Sequence, residues 1–237
     1  MMKHLFIALL LAATTAFGGV TFDGTSNAKL SSTSVESTAA PLTICLMINP
    51  ANTTTNYFIA SVGDTAGDNE WFGLAARGAD TGDPIRAFTA SGGPSAGAIT
   101  STGFSASTWQ SACGVYTAAN SRAAFLAGGS KGTETTSLTP SGIDATGIGF
   151  LNRATPAGFF NGDIAEVGIW NRALGDGEVA GLGLGYSPTC YANTVGYYRM
   201  LTKTTTERDE FGSTRINLTY GSGTSTASTH PRITNCQ

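Results

Sequence analysis

Charge is what this 237-residue chain has least of: Asp, Glu, Lys and Arg make up 12% of it, about half the share usual in a soluble domain. Lysine is confined to four positions and the net charge is −3, so no basic patch exists to hold nucleic acid or an anionic membrane surface. Histidine is nearly missing as well. Of the two, His4 lies in the N-terminal apolar stretch and His230 in a polar tail beside Pro231. A Ser-His-Asp site would have to use His230, and a zinc site draws on several His or Cys, so neither chemistry has its residues. There is no P-loop, no GxGxxG turn and no zinc-type CxxC. The N-terminal apolar run, Leu5 to Ala13, is nine residues long and too short to span a bilayer.

What is present is glycine (31 residues), abundant Ser and Thr, and 41% apolar residues, enough to bury a sizeable core. The opening MMKHLFIALLLAATTAFGG has the form of a secretory signal peptide: Lys3 and His4, the apolar run, then Ala16-Phe17-Gly18 as a small-x-small cleavage site. Four cysteines, an even number, fit an oxidising compartment and two disulfides, with three connectivities open. Both features predict a secreted, extracytoplasmic protein, with residues 1–18 as the signal.

Short β-rich runs separated by Gly, Asn, Asp, Ser and Pro dominate the rest. A dozen of them are counted between Val20 and Trp170, among them Leu42–Asn49, Tyr57–Gly63, Trp71–Arg77, Ile85–Thr89 and Asp163–Trp170. That number of short strands predicts a sandwich. The stretch FFNGDIAEVGIWNRAL, residues 159–174, alternates most cleanly. Strict period two places Ile164, Glu166, Gly168 and Trp170 on one face, and Asp163, Ala165, Val167 and Ile169 on the other. GDGEVAGLGLG then predicts a short surface helix, with Asp176 and Glu178 in its first turn and glycines 181, 183 and 185 ending it. From Tyr186 the chain turns polar and has no independent core. The domains are therefore residues 19–185 for the sandwich and 186–237 for a tail packing on it.

FNGDIAEVGIWNRALGDGEVAGL resembles the last core strand and helix of LamG-like, or concanavalin A-like, jelly rolls, with their G-x-I-x-x-V-x-I-W/Y-N/D-R-x-L pattern. VTFDGTSNAKL, LTICLMINP and STWQSACGVYTAANSRAAFLAGGSKGT match further segments of that fold, in order. The likeness spans about residues 20–185. The tail's Gly185-Tyr186-Ser187-Pro188 and His230-Pro231-Arg232 are similar to LamG proteins of phage and bacterial genomes. The resemblance implies an all-β, antiparallel jelly-roll sandwich with one short C-terminal helix and an irregular tail. Pentraxins, in the same superfamily, bridge the strands that match TICLMI and WQSACGVY. This implies Cys45–Cys113 inside the sandwich, leaving Cys190–Cys236 to tie the tail.

Glucanases of the superfamily carry E-x-D-x-(x)-E on one core strand. The nearest run, Glu207-Arg208-Asp209-Glu210, is too compact and lies in the tail, so the chain is expected not to be an enzyme. Two acidic clusters, Asp64/Asp68/Glu70 and Asp80/Asp83, stand in loops of the kind that hold calcium. LamG relatives often hold one calcium ion at the rim, which makes Asp64 and Asp68 its candidate ligands. The pentraxin calcium loop would fall near FLNRATPAGFF, which has no carboxylate. Trp109 and Trp170 occupy core positions of the family, whereas Trp71, Tyr57, Phe159 and Phe160 are freer to face a ligand. A sugar needs acceptors for its hydroxyls and an aromatic plane for its C–H face. The candidate ligand site is accordingly Asp64, Asp68, Trp71 and Asp83. The expected function is a glycan-binding or adhesive module. The other reading is a structural surface protein, a virion decoration or appendage subunit making protein contacts, alone or as part of an assembly.

Overall fold

The computed structural model describes residues 18–201, 203–211, 215–227, 233–234 and 236. Residues 1–17 of the expected signal peptide, and His230-Pro231-Arg232, lie outside the described residues. Apolar residues at every second position, cut by Gly, Asn and Asp turns, form β1 (Val20–Asp23), β2 (Leu30–Ser32), β3 (Leu42–Pro50) and β4 (Asn56–Gly63). Next come β5 (Trp71–Arg77), β6 (Pro84–Ala90), β7 (Ser95–Gly103) and β8 (Gln110–Ala118). β9 (Ser121–Leu126), β10 (Gly129–Glu134), β11 (Ala145–Ile148) and β12 (Asn161–Trp170) complete the first twelve strands. Helix α1 (Asp176–Gly183) follows, and then β13 (Thr194–Tyr198), β14 (Thr206–Glu207), β15 (Leu218–Tyr220) and β16 (Thr224–Thr226).

Sheet A runs β10-β9-β8-β3-β12-β1-β16, with β13 also on β12. Sheet B runs β14-β15-β2-β11-β4-β5-β6-β7. This is the antiparallel sandwich expected from the strand pattern. One rung of sheet B joins Leu30, Ile148, Ala60, Leu74, Ala87 and Ala98, all buried between the sheets. From sheet A, Leu42, Ile44, Leu46 and Ile48 of β3 face them. Each such Leu or Ile contributes about 1.5–3 kcal/mol by leaving water.

Strict alternation fails where strands bulge, as in β4 between Phe58 and Ala60 and in β12. Between Ala165 and Gly168 the register against β3 shifts, and Glu166 takes a left-handed φ of 55°. The extra residue of this bulge turns the following side chains over. Ile164, Val167 and Ile169 therefore share the inner face, and Trp170 faces outward, in place of the continuous alternation expected. The bulge also marks a break on the far edge of β12, where β1 pairs with Asn161–Ile164 and β13 with Val167–Trp170.

Helix α1 lies over sheet A. Its first turn is held by Glu178, whose carboxylate accepts the Gly175 N–H at 2.8 Å and both ends of the Arg172 guanidinium at 2.8 and 2.6 Å. Gly181 lies inside the helix and Gly183 is its last residue. They let it approach: a Cβ on Gly181 would sit 1.9 Å from the Tyr191 hydroxyl, and one on Gly183 2.4 Å from Gly128. Gly185, at φ 90°, stands past the end.

Cys45 and Cys113 are register partners and are bridged, as are Cys190 and Cys236. The first bridge is not inside the sandwich. Cys45 alternates with the inward Ile44 and Leu46, so it faces out, into a second apolar cluster with Val115, Phe125, Trp170 and α1's Val179 and Leu182. The tail differs from the irregular segment expected. β13 extends sheet A on β12 and β16 pairs with β1, while β15 pairs with β2. Tyr198, Met200 and Leu218 reach the main core.

Candidate functional site

The four residues singled out in the sequence do not form one site. Asp64, Asp68 and Trp71 lie at the β4–β5 turn, whereas Asp83 lies at the β5–β6 turn, at the other end of β5. Seven strand residues separate the two turns, about 23 Å at the usual rise. Trp71 is 7% exposed, and its ring packs edge-on against Phe58 and Phe88 at 5.5 and 6.1 Å. Its indole N–H donates to the Asp68 carbonyl at 3.1 Å. It is a packing residue, and so are Tyr57 and Phe160, both within the main core. Phe159 stacks on Phe150 at 6.0 Å. Trp170 is fully buried as expected, but on the outer face of sheet A, and Trp109 is only half-buried.

The acidic side chains of this region are engaged in shaping turns. Asp68 accepts the Thr155 N–H at 2.7 Å and lies 3.6 Å from the Arg153 guanidinium. The backbone bond from Thr155 holds its carboxyl below the usual range. Asp64 accepts the N–H of Ala66 at 2.8 Å, and Glu70 takes those of Gly92 and Ser141 at 2.6 and 2.9 Å. Asp83 has φ 47° and forms a backbone turn with Asp80 and Phe104. Calcium needs several oxygens converging on one point. Asp64 and Asp68 do not fit that demand, and no group of three His, Cys, Asp or Glu able to hold a metal occurs among the described residues.

What Asp68 and its neighbours do position is the segment between β11 and β12. This segment folds over the outer face of sheet B, where one rung reads Thr219, Ser31, Gly147, Ser61, Gly73, Phe88. Small residues make room for it: a Cβ on Gly63 would meet the Asn152 carbonyl at 1.9 Å. Ser61 Oγ donates to the Phe150 carbonyl at 3.0 Å and accepts the Asn152 N–H at 2.8 Å. Beside the segment lies a hollow of about 380 Å³, lined by Ser31, Ser32, Thr33, Thr65, Asn152, Asn217 and Thr219. Every lining side chain is a hydroxyl or an amide. Asp144 fixes Thr65 through its N–H and its hydroxyl, at 3.0 and 2.9 Å. Among the flagged loops only the 64–71 turn contributes here, through Thr65. Ser31 and Thr219 carry a sequence signal, since each stands one residue from a buried leucine of its strand.

A second cleft, of about 320 Å³, opens on the other sheet, between β12 and the tail, and is lined by Glu166, Ser187, Thr189, Tyr197, Arg199, Glu210 and the apolar Ile233. Glu166 is buried and accepts a short hydrogen bond from the Tyr197 hydroxyl. Loss of water pushes its carboxyl up to about 7, with Tyr197 and Arg199 pulling the other way. Its signal was a charged residue in the middle of an otherwise apolar strand.

A family model described as the concanavalin A-like lectin/glucanases superfamily matches residues 22–180. No curated protein matches the chain. Among solved structures, a native heptameric SAP-like pentraxin from Limulus polyphemus is similar at a TM-score of 0.64 and 14% identity, over 91% of this chain and 96% of that one. Domain 4 of AbnA, an extracellular arabinanase of Geobacillus stearothermophilus, solved with arabinotriose, gives 0.51 and 20% identity, over 62% of this chain and 68% of that one. The CBM40 of a Ruminococcus gnavus sialidase, bound to sialyllactose, gives 0.50 and 14%, over 70% and 93%. At these identities the likeness establishes the fold alone.

Proposed function

For this chain, which belongs to the concanavalin A-like lectin/glucanases superfamily, we propose a role as a secreted, non-catalytic glycan-binding module with its ligand in the sheet B hollow. One observation carries the reading: all seven side chains of the hollow are hydroxyls or amides. Such groups both donate and accept, as sugar hydroxyls do, and they carry no charge to desolvate. A volume of about 380 Å³ is in the range of small-molecule sites. The sugar-bound arabinanase and sialidase domains of similar fold support the same reading. Two disulfides fit an oxidising compartment.

A glycan array followed by calorimetry on the best hit tests it. Thr219→Trp places an indole in the hollow from an exposed strand position and should abolish binding while leaving the melting temperature in place. EDTA should change nothing, because no three His, Cys, Asp or Glu side chains able to hold a metal converge among the described residues. A hit that survives Thr219→Trp moves the site elsewhere. The absence of any hit, with assembly of the chain in solution, favours a structural surface subunit, in line with the overall likeness to a heptameric pentraxin.

A further inference from the structure

Helix α1 leaves one margin of the outer apolar cluster uncovered. Beside its first turn lies a cleft of about 350 Å³, floored by Val115 of β8, Ala123 and Phe125 of β9, and Leu174, all members of that cluster. Val115 and Ala123 are register partners, and Thr133 of β10 takes the next place in the same rung. Alanine has the shortest side chain of the three, so the rung dips at its middle. Around this floor stand Thr117, Ser121, Thr133 and Thr135, all exposed. Their hydroxyls bond no protein group among the described residues. Thr43, at the other end of the rung, differs: its hydroxyl is spent on the Arg172 carbonyl and the Leu174 N–H. The charges at the cleft are balanced, since Lys131 pairs with Asp176 at 2.8 Å and Arg122 is the register partner of Glu134.

We propose that this cleft binds an N-acetylated hexosamine, with the acetamido methyl on the Val115–Ala123 floor and the amide and ring hydroxyls met by Thr117, Ser121, Thr133 and Thr135. The site lies on sheet A, whereas the hollow lies on sheet B, and the proposal stands without that hollow. The floor decides against a plain sugar. A ring hydroxyl set on Val115 and Ala123 would give up its water and find no partner. A methyl group there gains by leaving water, and the short Ala123 side chain leaves room for it. The rim decides against a hydrocarbon, which would cover four hydroxyls without bonding any. An amide needs one acceptor for its N–H and one donor for its carbonyl, and a hydroxyl serves as either. The paired charges give an ionised ligand no preference. The hollow on sheet B has no such floor, because its lining is hydroxyl and amide throughout, so a demand for the acetyl group is a signature of sheet A.

N-Acetylglucosamine and N-acetylgalactosamine are the probes, with glucose and galactose as counterparts that lack the acetamido group. In a titration of the wild-type chain followed by amide NMR, the acetylated sugars should move the Val115, Ala123 and Thr133 signals. One carbon in an apolar pocket is worth about tenfold, so glucose and galactose should bind there about tenfold more weakly. Ala123→Val fills the dip at a strand position that suits a β-branched residue, and it should remove that preference. Thr133→Ala, at an exposed position, should weaken the acetylated sugars about fivefold, the usual value of one neutral hydrogen bond, without touching the floor. Thr219→Trp closes the sheet B hollow and should change none of this, and the Ser31 and Thr219 signals report that hollow separately. The proposal is overturned if neither acetylated sugar moves the Val115, Ala123 and Thr133 signals, or if glucose and galactose bind there as tightly. It is overturned equally if folded Ala123→Val keeps the preference, or if Thr219→Trp abolishes it.

Discussion

The sandwich and the tail meet the same core with different chemistry. Between the sheets, β3 and β5 bury Leu42, Ile44, Ile48, Phe72 and Leu74, side chains with nothing to ionise. The tail reaches that core with Tyr198, Met200 and Leu218, and its tyrosines seat on carboxyls, Glu36 and Glu166 of the sandwich and the tail's own Glu207. Tyr198 hydrogen-bonds both Glu36 and the Ile216 carbonyl, while Thr146 donates to the other oxygen of Glu36. Tyr197 donates to Glu166, and Tyr220 to Glu207 at 2.5 Å. Burial raises all three of these glutamates. The acids at the sandwich rim behave oppositely. Asp80 is held low by Arg77, Glu178 by Arg172, and Glu134 by the backbone N–H of Thr136. One region is therefore seated by apolar area with its acids outside and held low, and the other on buried acids that loss of water pushes up.

The largest effect that should separate the two regions comes from the buried bridge. Cys113→Ala opens a disulfide spanning 68 residues of sequence and should lower stability by about 2–5 kcal/mol, read from denaturant unfolding. The same loss from Cys190→Ala, far from the inter-sheet core, would mean that the tail is as integral as the strands it joins.

Next comes pH. A carboxyl raised in the folded state binds more protons there than in the unfolded chain between about 4.5 and its folded value. The stability it contributes is present at low pH and is lost as pH rises through the folded pKa. For Glu166 that window runs from 4.5 to about 7. The lowered rim acids have the opposite slope, and what they contribute is lost as pH falls below about 4. Hydrogen exchange, corrected for intrinsic rates, should show protection of the Tyr197 and Tyr198 amides weakening from pH 5 to pH 8, with β3 and β5 unchanged. Equal protection at both values would erase the contrast. Tyr198→Phe should cost about 1–3 kcal/mol, because the buried Glu36 loses a partner.

The smallest effect belongs to Trp170. It is fully buried against the Cys45–Cys113 bridge, yet its indole N–H has no acceptor among the described residues. Trp170→Phe loses apolar area and also removes an unsatisfied donor, so the two terms oppose. Chemical denaturation should place the change under about 1 kcal/mol. A much larger loss would show that ring volume, rather than the polar atom, decides at this position.

Most of the sandwich was legible because its strands are long enough to show a period. Trp71–Arg77 was bounded correctly from the sequence, and the helix over 176–183 announced itself through Asp176, Glu178 and Gly185. The tail was illegible for a physical reason. Strands of two or three residues, such as β14 and β16, cannot display alternation, and their pairing is fixed by partners far away in sequence. The bulge at Glu166 was hidden because period two looks unbroken on paper whichever way the backbone turns. The hollow on sheet B draws residues 31–33, 65, 152, 217 and 219 into one place. In sequence they read as ordinary Ser, Thr and Asn of turns. The acidic turns drew the eye instead, and there Asp64, Asp68 and Glu70 bond backbone N–H groups while Asp80 bonds Arg77 and Asn56.

The short tail strands have a consequence for how the molecule meets its own copies. A sheet ending in a long flat strand offers an open row of N–H and C=O groups on which another chain can continue the ladder. Here β7 and β10 approach one another at one side of the sandwich, linked by Thr102 and Ser130 at 2.5 Å, so neither presents such a row freely. At the other side the sheets finish on β14 and β16, two and three residues long, and on β13, whose Tyr197 backbone is already bonded by Asp209 and Glu210. Too little ladder is left there for a second copy to lengthen. A protein rich in β-structure and poor in charge has few repulsive means of staying apart from its copies, and in this one the strand ends take over that work.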